Sequence, residues 1–174
     1  MTSVTVNETT NTVTVTTPGP AGPSGAAAVM VRGQVSKMDT GTITITTQDT
    51  YVTTGLTGIF DAATANGMSL GTTHAFALKN TSAGSKLLRF YGSIDATASN
   101  NQTLGIKLAY NGVAIDETEC RAFTGSGGQE AKLVTSWMIE VGHEDEVSLF
   151  IANHSGATNI SFKRGRLVAS EVFA

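Results

Sequence analysis

Apolar and polar residues alternate at every second position along this chain, and no segment sustains the 3.6-residue period of a helix. Gly41-Thr42-Ile43-Thr44-Ile45-Thr46-Thr47 is the plainest case. The same alternation runs through Lys86–Ile94, Leu104–Tyr110, Ala131–Val141, Glu146–Asn153 and Asn159–Val168. This is the pattern of strands with one buried face. Asn111-Gly112 separates Leu104–Tyr110 from Val113–Ile115 and is a strong hairpin signal, because a type I′ turn needs positive φ at both central residues. His74–Leu78 and Cys120–Phe123 read as further strands, and Val31–Val35 as a candidate strand. Residues 55–71 are small and weakly patterned and read as a loop, with one short helical turn at 62–65.

Frequent turn clusters between strands of this length predict an all-β fold, an antiparallel β-sandwich or jelly roll, and exclude a parallel α/β sheet. The expected jelly-roll-like domain covers residues 72–174, with 29–71 packing on it as strand and loop. Its expected core comprises Phe76, Leu78, Leu88, Phe90, Ile106, Leu108, Leu133, Trp137, Ile139, Leu149, Ile151, Ile160 and Phe162.

The N-terminal part obeys a different rule. All three prolines, Pro18, Pro20 and Pro23, fall within eight residues, interleaved with Gly19, Gly22 and Gly25 at every third position. Glycine at period three with proline between is the collagen-type repeat, in which three polyproline-II strands wind around an axis that admits no side chain. Three triplets are too few to hold a triple helix alone, so flanking parts of the chain would have to bring three copies together. The same residues also fit a stiff linker in a monomer. Before them, residues 3–6 and 12–17 alternate Val with Thr or Ser around the polar run 7–11, which predicts a short hairpin or a pair of edge strands. An isolated two-stranded hairpin is marginal in water. Residues 1–17 are therefore a candidate attachment arm, with Val4, Val6, Val13 and Val15 as its contact residues, and 18–28 a candidate three-fold axis.

Charged residues make up only 14% of the chain and the net charge is −3, with no clustered basic face for nucleic acid and no basic amphipathic helix for a membrane surface. No apolar run approaches the roughly 20 residues that span a bilayer. Met1–Thr5 lacks the basic and apolar regions of a secretory signal, so synthesis in a cytoplasm is expected. The single cysteine, Cys120, rules out an internal disulfide framework and reads as a small buried hydrophobe.

None of the chemistry-bearing motifs is complete. His74, His143 and His154 lie in different elements without ligand spacing, and Gly142-His143-Glu144-Asp145-Glu146 fits a solvated turn as well as a Ca²⁺ loop. Gly125-Ser126-Gly127-Gly128 lacks the Lys-Ser/Thr of a phosphate loop. Asp39-Thr40-Gly41 has no second matching triplet of the kind an aspartic protease requires, and turns the chain into the Ile43/Ile45 strand. Lys163-Arg164-Gly165-Arg166 is a basic stretch for an acidic neighbour or for water. The expectation is a non-enzymatic binding or assembly protein without metal or cofactor.

The order of Val-Thr strands (13–17), Pro-Gly-Pro-Ala-Gly-Pro-Ser-Gly (18–25) and a β domain resembles virion structural proteins of tailed bacteriophages, marine and cyanobacterial phages in particular. The C-terminal half is similar in pattern to the trimeric jelly rolls typified by tumour necrosis factor and the complement globular heads. The resemblance implies a homotrimer on the virion surface, either a capsid decoration (cement) protein or a short head fibre. It would bind the major capsid protein through residues 1–17. The same resemblance implies a rival role, a receptor-binding tip whose loops 99–102, 124–129 and 153–159 recognise host surface glycan.

Overall fold

A computed structural model describes residues 2–5, 12–15 and 30–172. The two N-terminal segments form an antiparallel pair, β1 (Thr2–Thr5) and β2 (Thr12–Val15), with Val4 opposite Val13 and Thr2 opposite Val15. The antiparallel strand pairing expected from the Val/Thr alternation is therefore present. Val6 and the collagen-like residues Pro18, Gly19, Pro20, Gly22, Pro23 and Gly25 lie outside the described residues.

From residue 30 onward the chain is an all-β, two-sheet jelly roll. Its strands are β3 (Arg32–Lys37), β4 (Gly41–Ile43), β5 (Val52–Thr53), β6 (Ile59–Phe60), β7 (Met68–Leu70), β8 (Ala77–Asn80), β9 (Lys86–Thr97) and β10 (Gln102–Tyr110). β11 (Val113–Ala114), β12 (Cys120–Thr124), β13 (Ala131–Val141), β14 (Glu146–Asn153) and β15 (Ile160–Glu171) follow. One 3-10 turn, Asp116–Thr118, is the only helical element among the described residues. The first sheet has the order β13-β9-β15-β3-β6 with β4 on β15, and the second β11-β10-β14-β8-β7 with β12 on β10 and β5 on β14. All pairings are antiparallel.

The alternation decides what lies between the sheets. Leu88, Phe90 and Ile94 of β9 meet Leu104, Ile106, Leu108, Leu149 and Ile151 of the opposing sheet, all with no exposed surface. Phe162 and Phe76 pack edge to face with ring centroids 6.1 Å apart, a geometry aromatic pairs prefer. Between Phe162 and Arg164 a register shift interrupts the β9–β15 ladder. Before it the buried residues of β15 are Ile160 and Phe162; after it they are Gly165, Leu167 and Ala169. The bulge thus keeps apolar residues inward while placing Arg164 and Arg166 outward.

Three expectations change. Trp137 is 41% exposed rather than core, because β13 is the edge strand of its sheet and the opposing sheet does not cover it fully there. The strand expected at 74–78 starts at Ala77. Phe76 sits at φ 55°, which breaks the ladder while its ring is drawn into the core. The loop at 55–71 in fact supplies two short strands, β6 and β7, around a turn at 62–64. The Asn111-Gly112 turn is as read, with φ of 47° and 83°.

Replacing Phe162 by Ala removes the central inter-sheet ring, and a loss of about 3–5 kcal/mol is expected. Urea denaturation of the variant against the parent measures it.

Candidate functional site

The sandwich has two unlike ends. At one, Val31 donates its N–H to the Glu171 carboxylate at 2.8 Å and accepts from the Glu171 N–H at 2.8 Å, so residue 30 and the end of β15 lie side by side. Residues 1–29 join the domain at this end. At the other, three loops cross between the sheets: 98–101 from β9 to β10, 125–130 from β12 to β13, and 154–159 from β14 to β15. Hydrogen bonds tie them to one another and to the adjoining strands. Gly127 N–H donates to Asn100 Oδ1 (2.9 Å), Thr124 Oγ1 to the Ser99 carbonyl (3.3 Å), and Thr103 N–H to Ser155 Oγ (2.9 Å). The buried Asn153 amide donates to Gln102 Oε1 (3.1 Å) and to the Thr158 carbonyl (3.2 Å). The structure thus gathers at one end the three stretches singled out as recognition loops, opposite the point where the N-terminal segment joins.

Beside this crown, on the outward face of the second sheet, lies a polar cluster that sequence reasoning missed. Tyr51 donates its hydroxyl to Glu119 Oε1 at 2.6 Å and lies 3.2 Å from His154 Nε2. His154 Nδ1 is 2.6 Å from Asp49 Oδ1, and Arg121 Nε donates to Glu119 Oε1 at 2.8 Å. The Lys107 ammonium sits 4.3 Å from the Tyr51 ring centroid and 2.7 Å from Asp116, a cation–π contact braced by an ion pair. Burial and then the neighbouring Glu119 carboxylate push the Tyr51 hydroxyl far above the usual tyrosine range. Arg121 and then Tyr51, by donating to it, hold the Glu119 carboxyl below its ordinary value. Gly105 was the available sign: a Cβ there would come within 2.4 Å of the Tyr51 oxygen and 2.5 Å of His154 Nε2. Glycine inside an apolar strand marks close approach of another group.

The acidic stretch 142–146 is distributed among structural tasks. Glu144 pairs with Lys79 at 2.7 Å, and Asp145 accepts from the Tyr110 hydroxyl and from Asn111 Nδ2 (2.9 Å). Glu146 turns inward and accepts from the N–H groups of Thr72 (2.6 Å), Thr73 (3.0 Å) and His74 (3.0 Å), with His74 Nδ1 at 3.1 Å. Burial alone would raise this carboxyl, but the Thr73 and Thr72 amides and the His74 ring outweigh it and hold it at about 2. His143, in the same stretch, bonds to the Ser82 carbonyl. Among the described residues no group of three His, Cys, Asp or Glu is placed to hold a metal ion. Cys120 is half-buried. The basic stretch finds partners within the chain, Arg164 on Asp95 at 2.5 Å and Arg166 on Gln34.

A second surface lies on the outward face of the first sheet. Tyr91 (β9) stands opposite Ser136 (β13) and Val168 (β15), and Met138 opposite Arg89. Leu87, Tyr91, Val134 and Met138 are each 41–53% exposed and lie on diagonal cross-strand positions, within side-chain reach of one another. They form one apolar strip, bordered by Arg32, Arg89, Arg164 and Arg166 on the same face. Arg164 alone of these four has a carboxylate partner among the described residues.

No family model matches the sequence, and comparison with curated proteins gives no match. Among solved structures the chain is similar to the TNF protein Eiger of S. frugiperda, with a TM-score of 0.56 and 10% identity over 83% of this chain and 93% of that one. At that identity the likeness is one of fold.

Glu146 gives the fold, rather than the crown or the Tyr51 cluster, a pH signature. Its carboxyl is at about 2 in the fold against an ordinary 4.5. The resulting stabilisation, on the order of 3 kcal/mol, is present above pH 4.5 and lost as pH falls toward 2. Glu146→Gln should lower stability at pH 7 and flatten the acid limb of a plot of denaturation midpoint against pH between 2 and 6.

Proposed function

We propose that this chain is a homotrimeric structural protein of a phage virion that decorates and stabilises the outer capsid surface. Residues 1–17, with Val4, Val6, Val13 and Val15, grip the major capsid protein. Residues 18–28 organise the three-fold axis, and the jelly roll projects outward. The observation that carries this reading is the polarity of the domain: the collagen-like run joins at the Val31/Glu171 end, and the three crown loops face the opposite way. A jelly roll of TNF-like fold is compatible with a trimeric structural or receptor-binding protein. The strip of Leu87, Tyr91, Val134 and Met138 offers an apolar surface for a second copy, with Arg89, which has no carboxylate partner among the described residues, beside it for a neighbour's carboxylate. Three copies around one axis match a three-fold capsid position by symmetry, and a protein that binds only the assembled shell stabilises it by mass action.

A second reading is supported by the grouping of loops 98–101, 125–130 and 154–159 at the free end: a trimeric receptor-binding module that recognises host surface glycan.

Two tests follow. Deleting residues 1–17 should leave an assembled, soluble trimer that no longer binds purified heads in co-sedimentation; unchanged binding rejects the arm assignment. Val134→Glu, at an exposed strand position, should convert the oligomer to monomer in sedimentation velocity with folding intact, whereas an unchanged sedimentation coefficient rejects the strip as the contact.

A further inference from the structure

We infer that the distal corner of the second sheet binds a neutral polysaccharide, with Phe123 as the platform for a sugar ring and Arg121, Glu119 and Asp49 as partners of its hydroxyls. This gives a place and a chemistry to the receptor-binding reading and rests on it.

Arg121 and Phe123 are two residues apart on β12, so both side chains leave the same face about 7 Å from each other. They stand opposite Gly105 and Thr103 on β10. Phe123 is 59% exposed on β12 next to the crown and offers apolar ring surface beside these polar groups.

The polar groups are already oriented without a ligand. Glu119 is fixed by the Tyr51 hydroxyl at 2.6 Å and by Arg121 Nε at 2.8 Å; Asp49 is fixed by His154 at 2.6 Å. Tyr51 and His154 are held in turn against Gly105, where no Cβ intervenes. Side chains locked in this way contribute to binding without first losing rotamer freedom. They also keep binding capacity. The Arg121 side chain is 54% exposed and the Asp49 side chain 61%. A guanidinium has five N–H donors and an ionised carboxylate about four acceptor positions; Arg121 Nε–H is given to Glu119 and Asp49 Oδ1 faces His154, which leaves further positions on each group. A planar guanidinium and a planar carboxylate each present two polar atoms side by side, the spacing of neighbouring ring hydroxyls.

The charge balance selects the ligand class. Among the described residues Lys107, Arg121 and His154 face Asp49, Asp116 and Glu119, so that even with the imidazole charged the corner has no positive excess to hold an anionic polymer. Mixed donors and acceptors around an apolar platform suit a neutral glycan.

The full-length protein is assayed by biolayer interferometry on immobilised mannan, dextran and galactan, with alginate as the anionic polymer. Binding to at least one neutral polysaccharide is expected, weakened at least tenfold by Phe123→Ala and by Arg121→Gln, both at surface positions, with thermal midpoints unchanged. Absence of binding to all three, binding to alginate alone, or equal binding by both variants overturns the assignment. Decoration of heads and native mass decide the capsid reading separately, so the two fail independently.

Discussion

The register between β9 and β15 is the constraint on which the rest of the domain depends. These strands are twelve residues each and run side by side at the centre of the first sheet, so their pairing fixes which side chains face the core and which face out. A slip of one residue would bring Arg89 and Tyr91 inside and Leu88 and Phe90 outside. The bulge at Lys163 reconciles two parities within one strand. It lets Phe162 and Leu167, which are an odd number of residues apart, both point inward. The same device leaves Arg164 and Arg166 on the outward face beside the apolar strip. Core and candidate interface are therefore set by one ladder.

Much of this fold was legible in the sequence because its information is local. Period-two runs gave the long strands and nearly all of the core, and Asn111-Gly112 gave its turn. Trp137 was misread because alternation tells which face a residue lies on, but not whether an opposing sheet reaches it. Phe76 is core as expected, but the start of its strand was misread because the conformation there is imposed from afar: the loop before it is pinned by Glu146, seventy-odd residues later, whose carboxylate satisfies three successive amides. Charge in the sequence looked like a solvated acidic turn, and in the fold one of its members is a buried organiser of a distant loop.

The candidate site shows the same division. The three crown loops were visible as polar or glycine-rich clusters, and the fold adds that they meet at one end. The Tyr51–Glu119–His154–Asp49 cluster was not visible, since its members come from three separate segments and none sits in a recognisable motif. Gly105 alone marked it, as a missing side chain in an otherwise apolar strand. In physical terms the crown and cluster form a stiff, hydrogen-bonded end, whereas the opposite end receives the N-terminal segment. A domain polarised in this way suits presentation at a surface, which is the basis for reading it as an outward-facing part of a larger assembly.

That account stands on the chain assembling in threes, through the collagen-like run and the Tyr91/Met138 strip together. Light scattering coupled to size exclusion of the unmodified full-length protein at micromolar concentration measures this directly. The account predicts a mass of three protomers, near 54 kDa from three chains of 18.0 kDa. A mass of 18.0 kDa would contradict it, reducing Pro18–Gly25 to a linker and leaving the apolar strip without its partner.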